Sequence, residues 1–224
     1  MAAQRPFVRM KIAASLDGRT ALNNGVSQWI TGPEARQDGH RWRAQADAIL
    51  TGAGTLRSDD PMLNVRGVEV ARQPMLVIVD SRLETPPSAR LFGEKRPVLI
   101  YAAQPAPARQ QALEAAGATV VYQPGAANDK GPKVDLAAMM TDLYQRGVGS
   151  IHTEAGAALN GSLLQAALVD ELLVYLAPML IGPGAPMAGL PALENLESSA
   201  HWRFAEVATV GNDLRCRLRN DPAN

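Results

Sequence analysis

Cysteine is nearly missing from this chain. Cys216 is the only one, so no intrachain disulfide can form and no thiolate cluster can hold a metal. A lone thiol suits a reducing compartment, and a cytoplasmic location is the expectation. Histidine is scarce too: His40, His152 and His201 are far apart, and no C-x-x-C, H-E-x-x-H or G-x-S-x-G string occurs. Zinc hydrolysis and the serine-hydrolase elbow therefore lack support, and no metal is expected.

A charge excess is also absent. Lys plus Arg is 22 and Asp plus Glu is 22, whereas a nonspecific nucleic-acid coat needs a basic surplus. Long apolar runs are missing as well: the most apolar window, 168–181, is interrupted by Asp170 and Glu171, and the start, Met1–Pro6, is polar. Neither nucleic acid nor membrane is an expected partner.

What remains is a globular chain. Its 224 residues, 46% hydrophobic and 20% charged, suffice for one sizeable core and are few for two α/β domains. A single domain over 1–224, with its core at about 7–219, is expected. The neutral total hides an asymmetry: residues 1–109 carry 15 basic and 10 acidic side chains, residues 110–224 carry 7 and 12.

The pattern is α/β. Phe7–Ala14 alternates with a strand period, and Asp17-Gly18 supplies a turn. Thr31-Gly32-Pro33-Glu34 combines a capping hydroxyl, an early proline and a carboxylate, which predicts a helix to about Ala46. Ala48–Thr51 reads as a strand before a glycine turn and short helix ended at Asp59-Asp60-Pro61, and Met75–Val79 and Pro97–Tyr101 read as strands buried on both faces.

Helices at 107–116 and 136–146 alternate with strands at 119–122 and 150–153, the spacing of parallel crossovers. A helix over 160–167, a strand over 172–176 and a hairpin about Gly211-Asn212-Asp213 complete the pattern. The expected fold is a mixed, mostly parallel central sheet with flanking helices and an antiparallel C-terminal hairpin.

Ligands in such sheets collect at the carboxyl ends of strands. Three groups of residues qualify. Gly52-Ala53-Gly54-Thr55 fits close phosphate approach or a plain tight turn. The segment from Thr153 to Gly161 places Glu154 at a strand end before a glycine turn; it lacks the Lys-Ser/Thr of a triphosphatase loop, and Glu154 fits either a ligand contact or an ordinary helix-start carboxylate. Third is the set Lys11, Arg43 and Arg66, with Ser27 beside Trp29; each cation could equally be solvated.

Together these strings resemble one family. Lys11 to Ala21, Ser27-Gln28-Trp29-Ile30-Thr31, Arg43 to Leu50, Gly54 to Arg66, Asp80-Ser81-Arg82, Glu154-Ala155-Gly156 and Gly161 to Glu171 are similar, in order, to the reductase domain of the bifunctional riboflavin-biosynthesis deaminase/reductase. That resemblance implies a dihydrofolate-reductase-like fold, and an NADPH-dependent oxidoreductase that reduces the ribosyl side chain of 5-amino-6-(5-phosphoribosylamino)uracil to ribityl. The acceptor is C1′ of the ring-opened imine.

By matching position, Ser27, Arg43, Leu63, Arg66 and Glu154 resemble the substrate contacts. The arginines and Ser27 would hold the 5′-phosphate, and Lys11 and Glu154, the catalytic candidates, would orient the base. Ala13, Trp29, Thr55, Asp59, Ser81 and the turn Gly156, Ala157, Ala158, Leu159, Asn160, Gly161 and Ser162 resemble NADPH contacts. Lys11 or water would protonate the imine nitrogen. A homodimer is implied.

Two departures stand out. The deaminase half, with its P-C-x-x-C ligands, is absent, which implies either a standalone reductase supplied by a separate deaminase or one domain of a longer protein. Met179, in Ala177-Pro178-Met179-Leu180-Ile181-Gly182, replaces a lysine frequent among relatives. The alternatives are a reductase of another phosphorylated pyrimidine- or pterin-like substrate, and a catalytically silent nucleotide-binding homologue.

Overall fold

A computed structural model describes residues 4–129 and 131–220, so Met1–Ala3 of the polar start lie outside the described residues. In chain order the elements are β1 (Phe7–Ser15), β2 (Arg19–Leu22), α1 (Pro33–Ala44), β3 (Ala48–Gly52), α2 (Ala53–Asp59), β4 (Met75–Val79), β5 (Val98–Ala102), α3 (Pro107–Ala115) and β6 (Ala118–Tyr122). Then come α4 (Leu136–Gln145), β7 (Ser150–Thr153), α5 (Ala157–Gln165), β8 (Glu171–Ala177), β9 (Gly184–Pro186), β10 (Trp202–Val210) and β11 (Asp213–Asn220). Among the described residues, no helix is long and apolar enough to cross a membrane.

Internal contacts concentrate in two compact units. One holds His40–Ala155 and the chain up to Phe7; the other holds Val8–Gly39 and the chain from Gly156.

In the first unit β3 pairs in parallel with β7 and β4, β4 with β5, and β5 with β6. The inner strands β3, β4 and β5 are short and apolar because both their faces are covered, whereas β6 leaves Thr119 exposed. Ile49, Leu76, Ile78 and Ile100 are fully buried, and Leu91, Leu113 and Val98 close the same cluster. At about 25 cal/mol per Å² of apolar area, each such side chain stabilises the fold by about 1.5–3 kcal/mol relative to exposure. Asp135 caps α4 by accepting the Ala138 N–H at 2.9 Å, and Met139, Met140 and Leu143 bury the face behind it.

In the second unit β1 pairs in parallel with β8, from Arg9 opposite Glu171 to Ser15 opposite Ala177. The antiparallel strand β11 joins β8, and β10 folds back on β11 with a bulge between Phe204 and Glu206. Glu171 is fully buried because three arginines meet it: Arg9 Nε at 2.6 Å, Arg217 Nη2 at 2.9 Å and Arg219 Nε at 3.5 Å. Burial opposes its charge, but the bonds from Arg217 and Arg9 outweigh burial and hold its carboxyl below the ordinary range.

The start of α1 differs from the sequence expectation. Its first residue is Pro33, so Gly32 and not Thr31 occupies the cap, and the Gly32 N–H donates to Asp213 Oδ2 at 2.7 Å. That bond comes from Asp213, the first residue of β11, beyond the reach of a local pattern. α5 starts at Ala157, three residues earlier than expected, and β2 and β9 form a small antiparallel ribbon that the sequence does not announce.

Candidate functional site

A polar cluster of the first unit gathers at Arg43, on the last turn of α1, and Glu154, one residue past β7. Arg43 Nε donates to Glu154 Oε1 and Nη2 donates to Oε2 at 2.8 Å, the two-pronged pairing that a guanidinium makes with a carboxylate. Arg43 Nη1 donates to the Asn64 carbonyl at 2.7 Å and lies 3.4 Å from His40 Nδ1. Burial works against the Arg43 charge, yet the Glu154 carboxylate overcomes it and the pKa is raised. His152, fully buried, puts Nε2 at 3.4 Å from Glu154 Oε1.

The segment from Met62 to Arg66 is irregular, but outside side chains hold its backbone. Arg96 donates to the carbonyls of Met62 and Leu63. Gln73 takes both polar groups of Val65, accepting its N–H at 2.7 Å and donating to its carbonyl at 3.1 Å. His40 Nδ1 accepts the Arg66 N–H at 3.1 Å, which fixes the imidazole proton on Nε2. The His40 pKa is pushed down to about 4 by burial, then by Arg43 and Arg66. Burial likewise lowers Arg96 to about 10.

Leu63 itself is buried with φ +49, a left-handed backbone that a leucine adopts only where its surroundings impose it. Arg66 is exposed, with Nη1 donating to Asn64 Oδ1 at 2.6 Å. Four expected substrate residues, Arg43, Leu63, Arg66 and Glu154, thus belong to one braced cluster.

Thr55 and Asp59 ride on α2, and Ser81 follows β4. The Asp80-Ser81-Arg82 turn is built on buried Asp80, whose Oδ2 accepts both the N–H and the hydroxyl of Thr85 at 2.7 Å. In the second unit Lys11 and Ala13 lie on β1, and Lys11 Nζ stands 5.9 Å from the centroid of the Tyr175 ring. Ser27 and Trp29 lie between β2 and α1; Trp29 is 67% exposed and its ring faces the Arg36 guanidinium at 4.3 Å. Tyr175 donates to Asp38 Oδ2 at 2.6 Å, and Arg215 donates to the same oxygen at 2.9 Å.

The turn at Gly156 caps α5 without any side-chain bond, and the first turn of α5 contains no acidic residue. Such an end fits an anionic group, because the first N–H groups and the helix dipole both favour negative charge. Gly161 has a different reason for being glycine: a Cβ there would stand 2.3 Å from the Gly189 carbonyl oxygen. The Gly189 N–H also donates to the Ala157 carbonyl at 2.7 Å, so α5 and the segment at Gly189 pack backbone to backbone.

His40, Asn64, Gln73, Arg96 and His152 were not among the residues expected from sequence. His40 had one signal, its position one turn before Arg43; the others had none. His152-Thr153-Glu154 spells the H-x-E of zinc deaminases, but a single cysteine cannot supply the partner C-x-x-C.

Comparison with known proteins decides the family. The sequence model of the RibD C-terminal domain matches residues 6–216. The chain belongs to the RibD C-terminal domain family. Riboflavin biosynthesis protein RibD of Escherichia coli (strain K12) is 38% identical, over 95% of this chain and 59% of that protein. The RibD structure from Acinetobacter baumannii superposes with a TM-score of 0.85 at 32% identity, covering 99% of this chain and 60% of that one.

A diaminohydroxyphosphoribosylaminopyrimidine deaminase/5-amino-6-(5-phosphoribosylamino)uracil reductase from Thermotoga maritima superposes at 0.78 with 25% identity, over 97% of this chain and 57% of that one. The chain spans less than two thirds of the length of each of these three relatives. Its α/β fold, mostly parallel with antiparallel C-terminal strands, is the reductase fold of that family.

Proposed function

We propose that this RibD C-terminal domain, acting as one reductase domain, uses NADPH to reduce the ribosyl side chain of 5-amino-6-(5-phosphoribosylamino)uracil to its ribityl form. The observation that carries the reading is the braced cluster: Arg43 fixes the Glu154 carboxylate and the Asn64 carbonyl while the exposed Arg66 guanidinium stays at the surface of the same segment.

Glu154 accepts from the pyrimidine edge and orients the base; Arg43, expected at the 5′-phosphate, instead commits Nε and Nη2 to Glu154 and Nη1 to the Asn64 carbonyl, and so keeps the carboxylate in one rotamer. Arg66 and Ser27 bind the 5′-phosphate, a handle remote from C1′ that orients the reacting carbon. Lys11 orients the base and gives its proton to the imine nitrogen as the C1′–N double bond is reduced. The first turn of α5, free of carboxylates and side-chain caps, binds the cofactor pyrophosphate, with Ala13, Trp29, Thr55, Asp59 and Ser81 as further contacts. When bound, the nicotinamide supplies the hydride.

Incubation of the purified protein with the deaminated ribosylamino phosphate and NADPH tests the reading. It calls for NADPH oxidation that depends on both the substrate and its phosphate. Tight NADPH binding without turnover would instead mark a silent homologue.

A further inference from the structure

The segment from Met62 to Arg66 contains two proposed substrate contacts, Leu63 and Arg66, on either side of Val65. Its backbone belongs to no helix or strand, and Leu63 is held at φ +49. A left-handed leucine keeps its conformation only when its neighbours over-determine it. Most of the constraint comes from sites already tied to the cluster: Arg43 at the Asn64 carbonyl, His40 at the Arg66 N–H and Arg96 at the carbonyls of Met62 and Leu63.

Gln73 stands apart from these. It is neutral, has no contact with Glu154 or Arg43 among the bonds described, and precedes Pro74 and β4, whose first N–H is anchored on the Asp47 carbonyl at 3.0 Å. From that rigid base its amide reads Val65 as a neighbouring strand would, one bond in and one bond out. Val65 is 5% exposed, so without Gln73 its N–H and carbonyl would be buried unpaired unless the segment opened to water.

We propose that Gln73 is a positioning residue for substrate binding: its paired bonds to Val65 hold Leu63 and Arg66 in the geometry that receives the phosphorylated substrate. This rests on the reductase reading above. Because Arg66 grips a phosphate far from the reacting carbon, the loss falls on ground state and transition state alike and appears in KM.

The test measures KM and kcat for the ribosylamino phosphate, and the Kd for NADPH, in wild type, Gln73→Leu, Gln73→Glu and Arg66→Ala. Gln73→Leu is expected to raise KM by roughly three- to thirtyfold, as loss of one or two hydrogen bonds would, with kcat and NADPH Kd near wild type. Gln73→Glu keeps the acceptor for the Val65 N–H and is expected to fall between. It also decides the matter if Gln73→Leu does not fold.

A raised KM for Arg66→Ala with wild-type KM in both Gln73 variants would overturn the positioning role and leave the reductase reading intact. Parallel loss of kcat, KM and NADPH affinity would reduce Gln73 to a general structural part and overturn it as well. An unchanged KM in Arg66→Ala would remove the segment from the substrate site, and the proposal with it.

Discussion

Arg43 and Glu154 meet side by side, with Nη2 2.8 Å from Oε2 and Nε donating to Oε1, although 111 positions separate them in the chain. Their side chains are 14% and 15% exposed, so the pair sits where solvent competes weakly and a rigid fork outperforms a point charge. Arg43→Lys keeps the charge and loses the fork. It is expected to lower kcat/KM by the equivalent of about 1.5–3 kcal/mol. Steady-state kinetics at fixed NADPH check this, and an unchanged kcat/KM would show that charge alone suffices.

Glu154→Gln probes the pair from the other side. The substitution leaves the Arg43 guanidinium in a largely buried place without its counter-charge, and an expected destabilisation of about 2–3 kcal/mol follows. Urea denaturation measures it. The same variant should lose kcat/KM beyond that of Arg43→Lys, because the base loses its carboxylate; intact kcat/KM would show that Glu154 does not orient the base.

The pH dependence of stability has a defined sign at His40. Its folded pKa is depressed from 6.5 to about 4, so folding favours the neutral imidazole that accepts the Arg66 N–H. The stabilisation is full above pH 6.5 and is lost as pH falls toward about 4, where the folded form also takes up the proton. Tm is expected to fall over that window in wild type and to fall less in His40→Gln. Equal slopes for the two proteins would show that His40 does not carry the pH dependence.

Gly161→Ala separates packing from cofactor binding at the turn before and within α5. A Cβ at 2.3 Å from the Gly189 carbonyl oxygen forces the backbones apart, at an expected cost of about 1–3 kcal/mol in denaturant titrations. A variant of wild-type stability would show that α5 and the Gly189 segment do not need that close approach.

Much of the fold was legible because periodicity is local. The continuous apolar runs read at Met75–Val79 and Pro97–Tyr101 became the buried parallel strands β4 and β5, the latter shifted by one residue, and Pro107 starts its helix as proline does. The start of α5 was missed because Gly156 caps it without a polar side chain to announce it. The ribbon of β2 and β9 was missed because β9 is three residues long and holds a proline.

The site divides in the same way. Arg43, Arg66 and Glu154 were singled out by sequence pattern and Leu63 by resemblance alone, and the four lie in one cluster. Gln73 and Arg96 were invisible, since a side chain that holds backbone 8 or 33 positions away leaves no periodic trace. Only the folded chain shows why Leu63 can keep a left-handed backbone.

The proposed reaction is reduction at C1′ with NADPH as donor. Turnover of 5-amino-6-(5-phosphoribosylamino)uracil with NADPH deuterated at the transferable C4 position tests it most directly, with mass spectrometry of the product. The expected result is a ribityl product carrying a single deuterium at C1′, and none when Arg66 and Glu154 are both replaced by alanine. Recovery of unchanged substrate beside fully retained deuterated cofactor would contradict it.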